Sequence, residues 1–90
     1  MKVIITVIGE DKVGIIAAIT QVLAAHNVNI LSINQTILNG IFNMVMFCES
    51  KGEVETLHLV QRELREIESK LGVEITAQHA DIFYSMHQID

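Results

Sequence analysis

Proline and tryptophan are missing from this 90-residue chain, and cysteine occurs once, at Cys48. Without proline, and without any repeat or low-complexity tract, there is no candidate linker, so residues 1–90 are expected to form one domain, with 80–90 as a short C-terminal extension. With a single thiol no intrachain disulfide can form, and stability has to come from packing or from association. Positive charge is scarce too. Six Lys and Arg face eleven Asp and Glu, for a net charge of -5, which repels a phosphate backbone at long range and argues against direct nucleic-acid binding. The longest nearly apolar stretch, Val13 to Ala25, is broken by Thr20 and Gln21 and falls short of the ~20 residues of a membrane span. No membrane partner is expected. Met1-Lys2-Val3 leads straight into a strand and lacks the small-residue cleavage site of a secretory signal. With the single thiol, this gives the expectation of a cytoplasmic protein.

What the chain has in plenty is apolar residues, half of the total. A domain this small buries a limited share of its surface, so part of that apolar surface needs another outlet, and self-association into a homodimer supplies one.

The periodicities alternate between strand and helix. Val3 to Ile8 is a β-branched run. Ile15, Ile16, Ile19, Val22 and Leu23 then form one stripe of a helix, which ends near Ala25-His26-Asn27 with Asn27 as a left-handed cap. A second strand starts at Val28-Asn29-Ile30, and Leu31, Ile33 and Ile37 alternate with Ser32, Asn34 and Thr36, which predicts one buried and one polar face. Asn39-Gly40 is a type I′ hairpin signal. Ile41 to Cys48 must therefore lie antiparallel beside the second strand, and being apolar on both faces except at Asn43 it is expected to be central or to face a partner. Ser50 and Glu53 have the spacing of a capping box. Val54, Leu57, Val60, Leu64, Ile67 and Leu71 form the stripe of a second helix with a charged back, stopped by Gly72. Val73 to Gln78 alternates as a fourth strand at an edge. Ile82, Phe83, Met86 and Ile89 suggest a last helical turn or two over Ala80 to His87. This order satisfies two right-handed crossovers and one hairpin as an α+β, ferredoxin-like βαββαβ sandwich: a four-stranded antiparallel sheet, order 4-1-3-2, with two helices on one face.

The stretch that points to function is Gly9-Glu10-Asp11-Lys12-Val13-Gly14-Ile15, between the first strand and the first helix. A strand feeding directly into a helix aims the free first-turn N-H groups at the strand's exit, where amides and dipole together hold an anion. Gly9 is expected to supply the positive φ that leaves the strand, Gly14 to admit a close neighbour, and Asp11 to cap the helix. The same residues also fit a plain turn and cap, so the spacing nominates a site without excluding the simpler role.

The run from Ile4 through Ile16, with Asn29-Ile30 at the second strand, resembles the ACT domain, a family of small amino-acid-sensing regulatory modules. The resemblance spans essentially the whole chain. It is similar in particular to stand-alone ACT proteins grouped near the glycine cleavage system transcriptional repressor. The resemblance implies a ligand-binding pocket at a homodimer interface, lined by Gly9, Asp11, Lys12, Val13, Gly14 and Ile15 of one protomer and by Asn29 and Ile30 of the other. Amides of Val13 to Ile15 would hold a carboxylate, and Asp11 or the Asn29 amide would hold an ammonium group. ACT domains usually regulate an attached enzyme, and none is attached in this chain.

Other chemistries of the same fold class lack their residues. Phosphate hydrolysis would need an arginine in the first loop, yet Arg62 and Arg65 lie on the charged back of the second helix. Copper carriage would need paired cysteines there. An RNA-binding sheet would need exposed aromatics and positive charge, whereas Phe42 and Phe47 alternate to opposite faces. His26, His58 and His87 lie on separate elements, and only His79 and Asp81 are close, which reads as surface or capping roles rather than a metal site. Cys48 reads as a packing residue, and Met44 and Met46, on one face, fit a core or an adaptable interface. Nothing forms a catalytic constellation, and no cofactor is expected. The expectation is thus a regulatory module that senses an amino acid or similar small carboxylate. The alternative is a protein-interaction module of the same fold that has lost its ligand and acts on a protein partner through its open sheet face or tail.

Overall fold

The computed structural model describes residues 1–10 and 13–86. The elements are β1 (Lys2–Glu10), α1 (Ile15–Ala25), β2 (Val28–Leu38), β3 (Ile41–Ser50), α2 (Val54–Leu71), β4 (Glu74–His79) and α3 (Ala80–Met86). The sheet order is β2-β3-β1-β4, every pair antiparallel, which is the expected 4-1-3-2 order read from the other edge. The last helix lies within the expected extension; His87 and Ile89 are outside the described residues.

Alternation along the strands explains the two layers. Val3, Ile5 and Val7 of β1 and Phe42, Met44, Met46 and Cys48 of β3 face the helices and are buried with Ile15, Ile19 and Leu23 of α1 and Leu57, Val60 and Leu64 of α2. Met44 and Met46, 1% and 0% exposed, therefore fill the core and offer no interface. The opposite sheet face is covered at one end by α3, which packs on β1 and β4 and leaves Ile4 buried. No described helix is long and apolar enough to cross a membrane.

Local stop signals act as their chemistry requires. Asn39 and Gly40 take φ of 52° and 78°, both positive as a type I′ hairpin demands. Asn27 and Gly72 end α1 and α2 with φ of 56° and 68°, the left-handed conformation that closes a helix.

Two expectations are corrected. The capping box does not form: Glu53 is the N-cap of α2 and makes no side-chain cap bond, while the Ser50 hydroxyl accepts from the Gly52 N-H at 3.1 Å. Ser50 is instead committed to the chain start, its N-H donating to the Met1 carbonyl at 2.8 Å and its carbonyl accepting from the Met1 ammonium at 2.8 Å. In β2, an irregularity between Ile30 and Ser32 breaks the alternation, as a bulge places two successive residues against one on the partner strand. Ile30 pairs with Cys48 and Ile33 with Met46 on the helix side, whereas Ser32 pairs with Phe47 on the other. Leu31 is thus out of phase with Ile33 and Ile37, and all three are exposed rather than forming one buried face.

Candidate functional site

The two glycines of the first loop exchange the roles expected of them. Gly9 stays within β1, and a β-carbon there would lie 2.6 Å from Val73 Cγ1, so it is Gly9 that admits a close neighbour. Gly14 has φ 92° with nothing within 4 Å of an added β-carbon, so it is Gly14 that supplies the left-handed turn. It is also the N-cap of α1, the role expected of Asp11, and among the described residues no side chain caps the helix. Asp11 and Lys12 lie outside the described residues.

Around that turn the surface is apolar and the backbone polar. Val13 is fully exposed, whereas Ile15 is 2% exposed and anchored in the core, so Ile15 can offer a ligand only its N-H. The first helical bond runs from the Ala18 N-H to the Gly14 carbonyl at 2.9 Å. The N-H groups of Ile15, Ile16 and Ala17 precede it, in a first turn without an acidic residue, and they form the positive end of the helix dipole.

Gly9, Val13, Gly14 and Ile15 stand together at one end of the sheet, but Asn29 and Ile30 do not join them. Gly9 pairs with Phe42, which pairs with Ile37, so these three form one row across β1, β3 and β2. Asn29 and Lys2 both pair with Glu49, at the other end of β3. Seven residues of strand separate Phe42 from Glu49, or ~23 Å. Asn29 is exposed there, and Ile30 packs partly against the core. A single chain therefore cannot bring the two halves of the expected pocket into contact.

An open cleft of about 550 Å³ begins beside Gly14 and runs between α1 and α2 over Ala18, Val22 and Ala25 on one wall and Ile67 and Leu71 on the other, with Lys70 and Glu66 at its rim. The pairing of the His26 imidazole with the Glu63 carboxylate bridges the two helices at its far side. Sequence reasoning did not find this cleft. The available sign was that both stripes carry more apolar positions than two helices can bury, and Val22, Ile67 and Leu71 are indeed only partly covered.

The two edges of the sheet differ. On β4, the Ile75 N-H donates to Glu68 Oε2 at 2.8 Å and the Ala77 carbonyl accepts from Gln61 Nε2 at 2.6 Å, so α2 side chains occupy part of that edge. On β2, eleven residues long, no residue is charged and none is proline. Among the described residues no side chain hydrogen-bonds to its free edge. Natural proteins guard edges with charge, proline or a cover, and a long unguarded edge is a template for another strand.

Cys48 and His79 have packing and local hydrogen-bonding roles. Cys48 is buried, and burial pushes its thiol from 9.0 up to about 11, which suits packing and not redox sensing. His79 Nδ1 accepts from the Asp81 N-H at 3.2 Å. Among the described residues, no three His, Cys, Asp or Glu side chains group as a metal site.

Comparison with known proteins places these features in a family. The family model described as the ACT domain matches residues 2–78. A UPF0237 protein of Methanosarcina acetivorans is 49% identical over 88 residues, covering 98% of this chain and 96% of the relative. Among solved structures, an ACT domain protein from Streptococcus pneumoniae superposes with a TM-score of 0.78 at 37% identity, over 92% of this chain and 93% of that one. A protein described as a glycine cleavage system transcriptional repressor shares the fold, with a TM-score of 0.74 at 17% identity over 86% of this chain and 44% of that one.

Proposed function

The chain belongs to the ACT domain family, whose members are regulatory ligand-binding modules, and on that premise we propose that it senses an amino acid or similar small carboxylate in a pocket shared by two copies. The role is regulatory and not catalytic, and its setting is the cytoplasm. The observation that carries the reading is the unguarded edge of β2 combined with the placement of Asn29 and the first loop at opposite ends of one sheet. Antiparallel pairing of β2 with the β2 of a second copy reverses the strand. It carries the partner's Asn29 to the end of the extended sheet where Gly9 and Val13 to Ile15 stand, and it uses up the free edge on both copies.

In such a pocket the first-turn N-H groups of α1 hold the ligand's carboxylate, because they carry the dipole's positive end and, among the described residues, no side chain caps them. The partner's Asn29 side chain, through its amide oxygen, accepts from the ammonium group, with Asp11 as a second acceptor.

Thermal unfolding of the purified protein against each of the twenty amino acids at millimolar concentration tests the reading. A ligand present at 100 times its dissociation constant stabilises the native state by about 2.7 kcal/mol, a shift readily seen in a small domain. A shift with one amino acid or one chemically related group is the expected result. No shift with any of them would favour the protein-interaction module.

A further inference from the structure

The side of β2 that faces the helix layer extends past its cover. Ile33 lies opposite Met46 and Ile37 opposite Phe42, and both of those β3 residues are buried, yet Ile33 and Ile37 are 42% and 54% exposed. Ile37 stands in the same row as Gly9, two strand spacings or about 10 Å away. Above this end, Val13, in the turn ahead of α1, and Ile16, in its first turn, are exposed, and α1 packs on β2. No residue from Val13 to Ile19 or along β2 is charged, and on this side of β2 beyond the bulge Gln35 is the single polar side chain. Pairing of β2 with a second copy would set the two Ile33-Ile37 strips side by side along the join, beneath the two α1 helices.

We infer that the ligand is an amino acid with a branched aliphatic side chain, of the valine or isoleucine type. The inference rests on the amino-acid reading above and adds the ligand's class. With carboxylate and ammonium held by backbone and amide groups, the side chain is left to the surface formed by Val13, Ile16, Ile33 and Ile37. An aliphatic side chain gains there by leaving water. A hydroxyl or a charge would surrender its hydration with almost no partner to replace it.

Valine and threonine have nearly the same shape and differ by a methyl against a hydroxyl, so isothermal titration of the full chain with each is the test. Valine is expected to bind at least ~10-fold more tightly, the scale on which an apolar pocket rejects an added hydroxyl. Because Ile37 is half-exposed, Ile37→Asn leaves the core intact and is expected to narrow the ratio by weakening valine. Threonine binding as tightly as valine, or a ratio unmoved by Ile37→Asn, would overturn the class while leaving the amino-acid reading in place. The class is overturned in the same way if neither binds and only an amino acid without a branched aliphatic side chain stabilises the protein. If none of the twenty stabilises it, the reading and the class fall together.

Discussion

Gly9 in β1 and Val73, just ahead of β4, are packed so closely that a β-carbon on the glycine would lie 2.6 Å from Val73 Cγ1 and 3.1 Å from the Val73 α-carbon. The second contact is with backbone, so rotation of the valine side chain alone cannot relieve it. Gly9→Ala is therefore expected to destabilise the fold by roughly 1–3 kcal/mol, the scale of overpacking in a full core. The variant's midpoint in urea is the measurement. At Gly14 an added β-carbon meets nothing, and only the positive φ opposes it, so Gly14→Ala is expected to cost about 1–2 kcal/mol. Partial relief of the Gly9→Ala penalty by a second change, Val73→Ala, which removes the 2.6 Å contact and keeps the one with the α-carbon, would tie it to this packing.

Much of the fold was legible in the residues because its signals are local. Asn39-Gly40 and Gly72 act as turn and stop by their own backbone preferences, and the stripes of α1 and α2 record which face is buried. The misreadings share one cause, a partner far away in the chain. Nothing near Gly9 announces Val73, which is 64 positions later and arrives only when β4 pairs with β1. Nothing near Ser50 announces Met1, whose carbonyl and ammonium take the serine's backbone groups. The bulge at Leu31 moves its side chain to the other face without any local mark, since the residues on either side are as strand-like as their neighbours. At the site, the loop's residue types were readable, but the separation of Asn29 from that loop depends on the register of three strands.

A charge on the free edge of β2 tests the proposed pairing. Asn34 and Thr36 are exposed and lie on the side of the sheet away from the helices, opposite Val45 and Asn43, so the core is untouched by their replacement. Asn34→Lys combined with Thr36→Lys places like charges beside each other across a two-fold join, which is destabilising for paired strands. Sedimentation velocity is expected to show the wild type as a dimer and the double variant as a monomer with an unchanged circular dichroism spectrum. The doubly charged variant remaining a dimer would locate the interface elsewhere.

Alkaline pH tests the burial of Cys48. Its thiol is raised from 9.0 to about 11 by burial, so the unfolded chain loses this proton before the native chain does. The native state keeps its full advantage below pH 9, and the advantage is lost as the pH rises through 11. At about 1.4 kcal/mol per pH unit, the loss amounts to about 2–3 kcal/mol. The fall in stability between pH 9 and 11 is expected to be smaller in Cys48→Ala by this amount. At neutral pH the native thiol is expected to resist alkylating reagents that modify the unfolded chain at once.

The shared pocket is tested most directly by mixing two variants, each defective in a different half of it. Gly14→Asp places a carboxylate where the ligand's carboxylate is held, and Asn29→Ala removes the amide that the partner contributes. Each variant alone is expected to show no heat when titrated with the amino acid that stabilises the wild type. Unfolding and refolding the two together produces mixed dimers, in which one pocket carries both defects and the other carries none. Binding with wild-type affinity is expected to reappear in the mixture at reduced stoichiometry. A mixture that binds no better than its components, although mixed dimers have formed, would contradict a site built from two copies of this chain.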